Sequence, residues 1–78
     1  MTEKLIQALK SGSEIVIISA EPGDDSAIFW MDRNGTIHSF NRSFGVMNRP
    51  DMDVDRLKEH LQTMHKEGAS IFVRGFMN

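Results

Sequence analysis

The chain has 78 residues, enough for one small domain spanning residues 1–78, and a domain of this size buries only about 60–65% of its unfolded surface. It has no cysteine, which excludes disulfides, thiolate nucleophiles and cysteine-ligated zinc and is typical of a cytoplasmic protein. The formal net charge of −2 gives no overall field toward nucleic acid or anionic lipid, and no apolar stretch reaches the roughly 18–20 residues of a membrane helix.

The first elements predicted along the chain are a short helix and a strand. The helix begins with Thr2 as its cap and ends at Ser11–Ser13. Its apolar stripe consists of Leu5, Ile6 and Leu9. The strand Glu14–Ala20 contains four consecutive β-branched apolar residues, which indicates a strand covered on both faces and placed centrally in the sheet. A turn follows at Glu21–Asp25.

A β-hairpin is predicted next, from Ser26 to Phe40. Its strands are Ala27–Asp32 and Thr36–Phe40, joined at Asn34-Gly35. Asn-Gly between apolar runs is the strongest short hairpin signal, because a two-residue type I′ turn requires positive φ at both central residues.

The second half of the chain begins with the irregular segment Asn41–Pro50, which we interpret as a loop or an irregular strand end. Asp51 or Asp53 then caps the main helix, which runs to about Lys66. Its buried stripe is formed by Val54, Leu57, Leu61 and Met64.

The predicted fold is a single α+β domain in the order α-β-β-β-α-β. Gly68 ends the main helix, and Ser70–Met77 forms a fourth strand. The sheet is mainly antiparallel, four-stranded and packed against the helices. We place the fourth strand beside the first, running parallel to it, because a right-handed crossover permits this and makes the first strand central. Pairing of the fourth strand with another chain is the alternative.

No constellation of catalytic or metal-binding residues is evident. His60 and His65 are five residues apart, about 140° around a helix, so they do not converge on one ion. His38 has no carboxylate or thiol at a suitable spacing. Nucleophile-elbow, phosphate-loop and dinucleotide motifs are absent. We therefore predict that the protein is not an enzyme and uses no cofactor and no metal.

The second face of the sheet carries unusually many large apolar residues. If both helices cover the face with Ile28 and Trp30, the other face keeps Phe29, Met31, His38, Phe40 and either Phe72 or Phe76. A monomer of this size rarely exposes such a set, which indicates an interface with another protein or with a second copy. The alternative is that the short first helix covers this face, which makes these residues ordinary core.

The segment Asn41–Pro50 is the second candidate surface. It combines Arg42 and Arg49 with Phe44 and Met47, a mixture enriched at protein interfaces. The alternative is that its apolar residues pack under the main helix.

Nucleic-acid binding is the rival class. The order α-β-β-β-α resembles that of double-stranded-RNA-binding domains, but those domains depend on a lysine cluster at the start of the second helix. Here that helix begins with Asp51, Asp53 and Asp55, which opposes the assignment. The residues for an RNA or DNA surface would be Arg33, Arg42, Arg49 and Arg74 with Phe40, Phe44 and Phe76.

The sequence thus favours a non-enzymatic, cytoplasmic protein-binding module, such as a small regulator, an adaptor or a phage-encoded or mobile-element-encoded inhibitor. The expected partner is another protein, with a homodimer as one form of the contact and no membrane association. The predicted contact residues are Phe29, Met31, Phe40, Arg42, Phe44, Met47 and Arg49.

Overall fold

The computed structural model describes residues 2–21 and 26–75, which form two helices and five strands. In chain order the elements are α1 (Thr2–Lys10), β1 (Glu14–Ile18), β2 (Ala27–Met31), β3 (Ile37–Asn41), β4 (Gly45–Asn48), α2 (Val54–Lys66) and β5 (Ser70–Arg74). The predicted α+β class is confirmed, although the sheet has one strand more than expected. Most of the turn predicted at Glu21–Asp25, and the predicted site residue Phe76, lie outside the described residues.

The sheet is antiparallel throughout, in the order β4-β3-β2-β1-β5. The last strand lies beside the first, as predicted, but its predicted parallel direction is wrong. The added strand β4 is the cause, because it returns the chain to the opposite end of the sheet before α2 crosses over. As a result, β5 enters the sheet from the other end and runs antiparallel to β1.

The additional strand comes from the segment predicted as a loop. The side-chain Oδ1 of Asn41 accepts a hydrogen bond from the N–H of Phe44 (2.7 Å), and Gly45 adopts a left-handed φ of 70°. This tight turn brings the next four residues into register with β3, so that Val46 pairs with Phe40. The prediction of a loop or an irregular strand end over Asn41–Pro50 is therefore corrected to a hairpin followed by a short connection.

The helix ends follow the sequence signals closely. Asp53, rather than Asp51, caps α2, since its Oδ1 accepts the N–H of Arg56 at 2.9 Å. The end of α2 is also as predicted, with Gly68 in the left-handed region at φ 89°. These caps fix both the start of α2 and the direction in which the chain enters β5.

Both helices cover the same face of the sheet. They contribute to one core cluster together with inward side chains of β1, β2 and β3, and α1 and α2 contact each other. The buried apolar residues are Leu5, Ile6, Leu9, Ile15, Ile17, Phe29, Ile37, Leu57, Leu61, Met64 and Ala69. The predicted stripe of α1 is buried in full, and that of α2 is buried except for Val54, which packs against the cluster.

The hairpin between β2 and β3 forms, but its turn is not the predicted type I′. The N–H of Gly35 donates to the carbonyl of Asp32 (3.1 Å), and Gly35 is left-handed at φ 83° while Asn34 is not. This is the geometry of a type I turn followed by a left-handed glycine, which makes a three-residue loop. Asp32 favours it, since its Oδ1 accepts the N–H groups of Asn34 (2.8 Å) and Thr36 (3.0 Å).

The three-residue loop changes which residues of β2 share a face with those of β3. Phe29 pairs with Ser39 rather than with Phe40, and Met31 pairs with Ile37. A shift of one residue moves side chains to the opposite face of a sheet. Phe29, only 2% exposed, and Met31 therefore lie on the helix-covered face, so their predicted placement beside Phe40 on the uncovered face is wrong.

Candidate functional site

The candidate site is the open face, which we define as the face of the sheet opposite the two helices. Side chains alternate between faces along each strand, so the neighbours of the buried Ile15, Phe29 and Ser39 point away from the core. Within residues 2–21 and 26–75, both helices bury their apolar stripes on the other side. The open face is thus a sheet surface without a covering layer in the described part of the chain.

A continuous row of apolar side chains crosses the open face. The strand register pairs each member with the next, from the β5 edge to the β4 edge. We call this set the apolar row, and its members are Phe72, Val16, Ile28, Phe40 and Val46. Its outer members are well exposed, with Val46 at 66% and Phe72 at 44%. Each of the five strands contributes one apolar residue to the row.

One side of the row is bordered by a shallow apolar depression of about 200 Å³. Its lining includes Val16, Ile18, Ile28 and Phe40, and Arg42 stands at its edge. Arg42 and Phe40 therefore border the same depression. A larger depression of 510 Å³ on the outer surface of α2 is lined by polar and charged side chains such as Glu59 and Lys66.

The other side of the row carries a polar group built on the hairpin. The rings of Trp30 and His38 stack with centroids 5.7 Å apart and planes 9° from parallel. The Nε2 of His38 donates to Oδ2 of Asp32 at 2.8 Å. This hydrogen bond is the main cause of the lowered pKa of Asp32, followed by the backbone N–H groups of Thr36 and Asn34. This carboxylate partner of His38 was not predicted from the sequence, because the pairing depends on the geometry of the turn.

A second charged pair lies at the β1–β5 corner of the open face. Arg74 contacts Oε1 of Glu14 through Nη2 at 2.7 Å and through Nε at 2.8 Å. The two residues face each other across the strands. This corner is therefore balanced in charge within the chain.

The predicted contact residues are only partly brought together. Phe40 and Arg42 meet at the apolar depression, and the strongly exposed Phe44 lies in the adjoining turn. Met47 lies on the opposite face of β4, and the Nε of Arg49 lies 3.5 Å from Oδ1 of Asp51. Phe29 and Met31 belong to the helix-covered face.

Several open-face residues were not predicted as contacts. Val16, Ile28, Trp30 and Val46 lie there, and Phe72 was named only as one of two options. The available signal was the run of β-branched residues in β1, which indicates two apolar faces. That run does not determine the strand register, which aligns Val16 with Phe72 and Ile28.

The described residues hold no group of three or more metal-ligating side chains suited to an ion. None of the helices in the described ranges is long and apolar enough to cross a membrane. Comparison of the chain with protein-family models, with curated proteins and with solved structures gives no match.

Proposed function

We propose that this protein is a small non-enzymatic, cytoplasmic binding module that contacts another protein chain through the open face. The observation that supports the proposal is the apolar row, which runs across all five strands without a covering layer in the described residues. Contiguous exposed apolar surface of this kind marks interaction sites in small proteins. A regulator, adaptor or inhibitor is the functional class that fits such a surface.

The composition of the open face also fits protein recognition. Aromatic and arginine side chains are enriched at the centres of protein interfaces, and here Phe40 and Phe72 belong to the row while Arg42 borders the depression beside it. The strands hold the two phenylalanines on a rigid surface, so little conformational entropy is lost there when a partner binds. The revised contact set keeps Phe40, Arg42 and Phe44 and adds Val46 and Phe72.

The polar group on the hairpin does not favour catalysis. An acid–base pair acts on a proton that lies within hydrogen-bond reach, and it usually serves a nucleophile. The Nε2 of His38 is already bonded to Asp32, and Trp30 covers a face of the imidazole ring. We interpret the group as a structural support for the hairpin.

A matched pair of photo-crosslinking variants tests the proposal. Phe72 and Val73 are neighbours on β5 with nearly equal exposure, 44% and 42%, but Phe72 lies on the open face and Val73 on the opposite one. A benzoylphenylalanine residue is introduced at either position in the source cells, and adducts are detected after illumination. We expect protein adducts from position 72, suppressed by excess wild-type protein, and few from position 73.

Equal adduct yields at the two positions, or no protein adduct from position 72, would refute the proposal. Adducts with nucleic acid at position 72 would do the same and would support the rival class. The mass of each adduct also identifies what occupies the open face.

A further inference from the structure

We infer that the occupant of the open face is a second copy of this chain, packed face to face about a two-fold axis that runs along the apolar row. The inference rests on the proposed function and specifies its partner. Three properties of the face support it: its shape, its dimensions and the placement of its charges.

The shape of the face suits another sheet. Sheets twist with a fixed hand, and two sheets of equal twist pack with their strands within about 30° of each other. A two-fold axis along the row lays each strand antiparallel over its own copy. Every member of the apolar row then meets the row of the partner, and no apolar residue of the row is left against a polar one.

The dimensions of the face favour an occupant of the same size. Five strands at about 4.8 Å spacing and five residues at about 3.3 Å give roughly 24 by 17 Å, or about 400 Å² of flat sheet. A single helix is about 10–12 Å across, so it covers about half of this face when it lies along the strands and about two-thirds when it lies along the row. A specific interface buries about 500 Å² or more from each partner, so the whole ridged face must take part. A second copy of the sheet covers it completely.

The charges are placed for the same symmetry. Arg42 lies past the C-terminal end of β3 and forms no ion pair with residues 2–21 or 26–75, whereas the Asp32 carboxylate lies before the N-terminal end of β3. The two-fold axis reverses β3 about Phe40. This brings Arg42, two residues after the row, over the partner's His38, two residues before it, beside the Asp32 carboxylate that this histidine contacts. The Glu14–Arg74 pair is an ion pair within the chain and adds no net charge to the face.

Sedimentation of the full chain over a concentration series tests this inference. We expect a species of twice the 8.9 kDa chain mass at high concentration, with a blue shift in the emission of Trp30 as the open face is covered. Val46→Lys and Met47→Lys form the matched pair, because the two residues are adjacent on the edge strand β4 and lie on opposite faces.

Val46→Lys should weaken dimerisation at least about tenfold, since it places an unpaired ammonium in the contact, whereas Met47→Lys should leave it unchanged. Arg42→Glu should also weaken it, and Arg42→Lys should weaken it less. Circular dichroism checks that each variant is folded.

A parent protein that stays monomeric at the highest concentration, or a dimer dissociated by Met47→Lys and not by Val46→Lys, would overturn the inference. The proposed function would survive the first result if position 72 still crosslinks to a protein of different mass. It fails separately if that position gives no protein adduct.

Discussion

A single side chain, Asp32, fixes the conformation on which the open face depends. One carboxylate oxygen accepts hydrogen bonds from two backbone N–H groups of the turn, and the other accepts one from the imidazole of His38. These bonds hold the loop at three residues and set the positions of the stacked Trp30 and His38 rings. A side chain that bonds its own turn in this way competes successfully with other turn types.

The lowered pKa of Asp32 predicts an acid-dependent loss of stability. The folded state prefers the ionised carboxylate, so its contribution is complete above the ordinary Asp pKa of about 3.9 and is lost as pH falls through the lower folded-state value. Asp32→Asn should therefore lower the melting temperature at neutral pH, and the difference from wild type should shrink in acid. Thermal denaturation followed by circular dichroism at a series of pH values measures this difference in melting temperature.

Glu59→Gln, which removes a carboxyl from the exposed side of α2, is the control. A difference that stays constant down to pH about 2 would contradict the prediction.

At the scale of elements, the hairpin shows that one side chain next to a loop can determine the loop length and the strand register. The Asn34-Gly35 pair correctly predicted a turn and two strands, but the number of loop residues followed from the Asp32 side chain. That count sets the register, and the register sets which face each residue of β2 occupies. The strand residues themselves could not indicate the face, because β2 is apolar on both sides and either assignment buries a similar area.

The observed register predicts opposite results for two phenylalanines. Phe29 is buried in the core and meets the ring of His60 edge-on at 5.8 Å, whereas Phe40 is on the open face. Phe29→Ala should lower the free energy of unfolding by about 3–5 kcal/mol, a large part of the total for a small domain. Phe40→Ala should cost about 1 kcal/mol or less in dilute solution, because its side chain remains partly in water. Urea denaturation at low protein concentration compares them.

Phe29→Leu extends that comparison if Phe29→Ala does not fold. It should still destabilise the protein more than Phe40→Leu does. Equal losses of unfolding free energy at the two positions would indicate that Phe29 and Phe40 lie on the same face. That result would contradict the register on which the apolar row depends.

The strand β4 illustrates a second limit of sequence reading. With four residues, the strand is too short to show an alternating apolar–polar pattern, and the arginines and asparagines around it are typical of loops. Its formation depends on pairing with β3, which is a tertiary contact. By contrast, α2 spans three and a half turns with a regular stripe and caps, so its position was predictable from local signals alone.

At the scale of the whole molecule, the placement of α1 determines what remains exposed. Its stripe of three apolar residues predicts that it packs against something but does not specify a face of the sheet. In the structure α1 lies beside α2, and Lys58 of α2 bonds to Glu3 of α1 at 2.9 Å. Placing both helices on one side leaves the other side without a covering layer from the described part of the chain. The open face is therefore a consequence of helix packing that no local pattern encodes.

The distribution of charge over the whole molecule predicts that the protein does not bind nucleic acid. Of the arginines considered for such a surface, Arg49 and Arg74 contact acids of this chain, and the turn residues Arg33 and Arg42 lie at opposite ends of β3. Four separated cations do not make the continuous basic groove that single-stranded nucleic acid requires.

In filter binding at low salt we therefore expect little retention of RNA or DNA. Wild type, Arg42→Ala and Lys66→Ala should not differ, and Lys66→Ala is the control because it removes a charge from α2. Affinity that falls steeply with salt would contradict this prediction, because several released counterions require several phosphate contacts. A selective loss in Arg42→Ala would then place those phosphates on the open face, where the same arginine is expected to meet a carboxylate of a second chain.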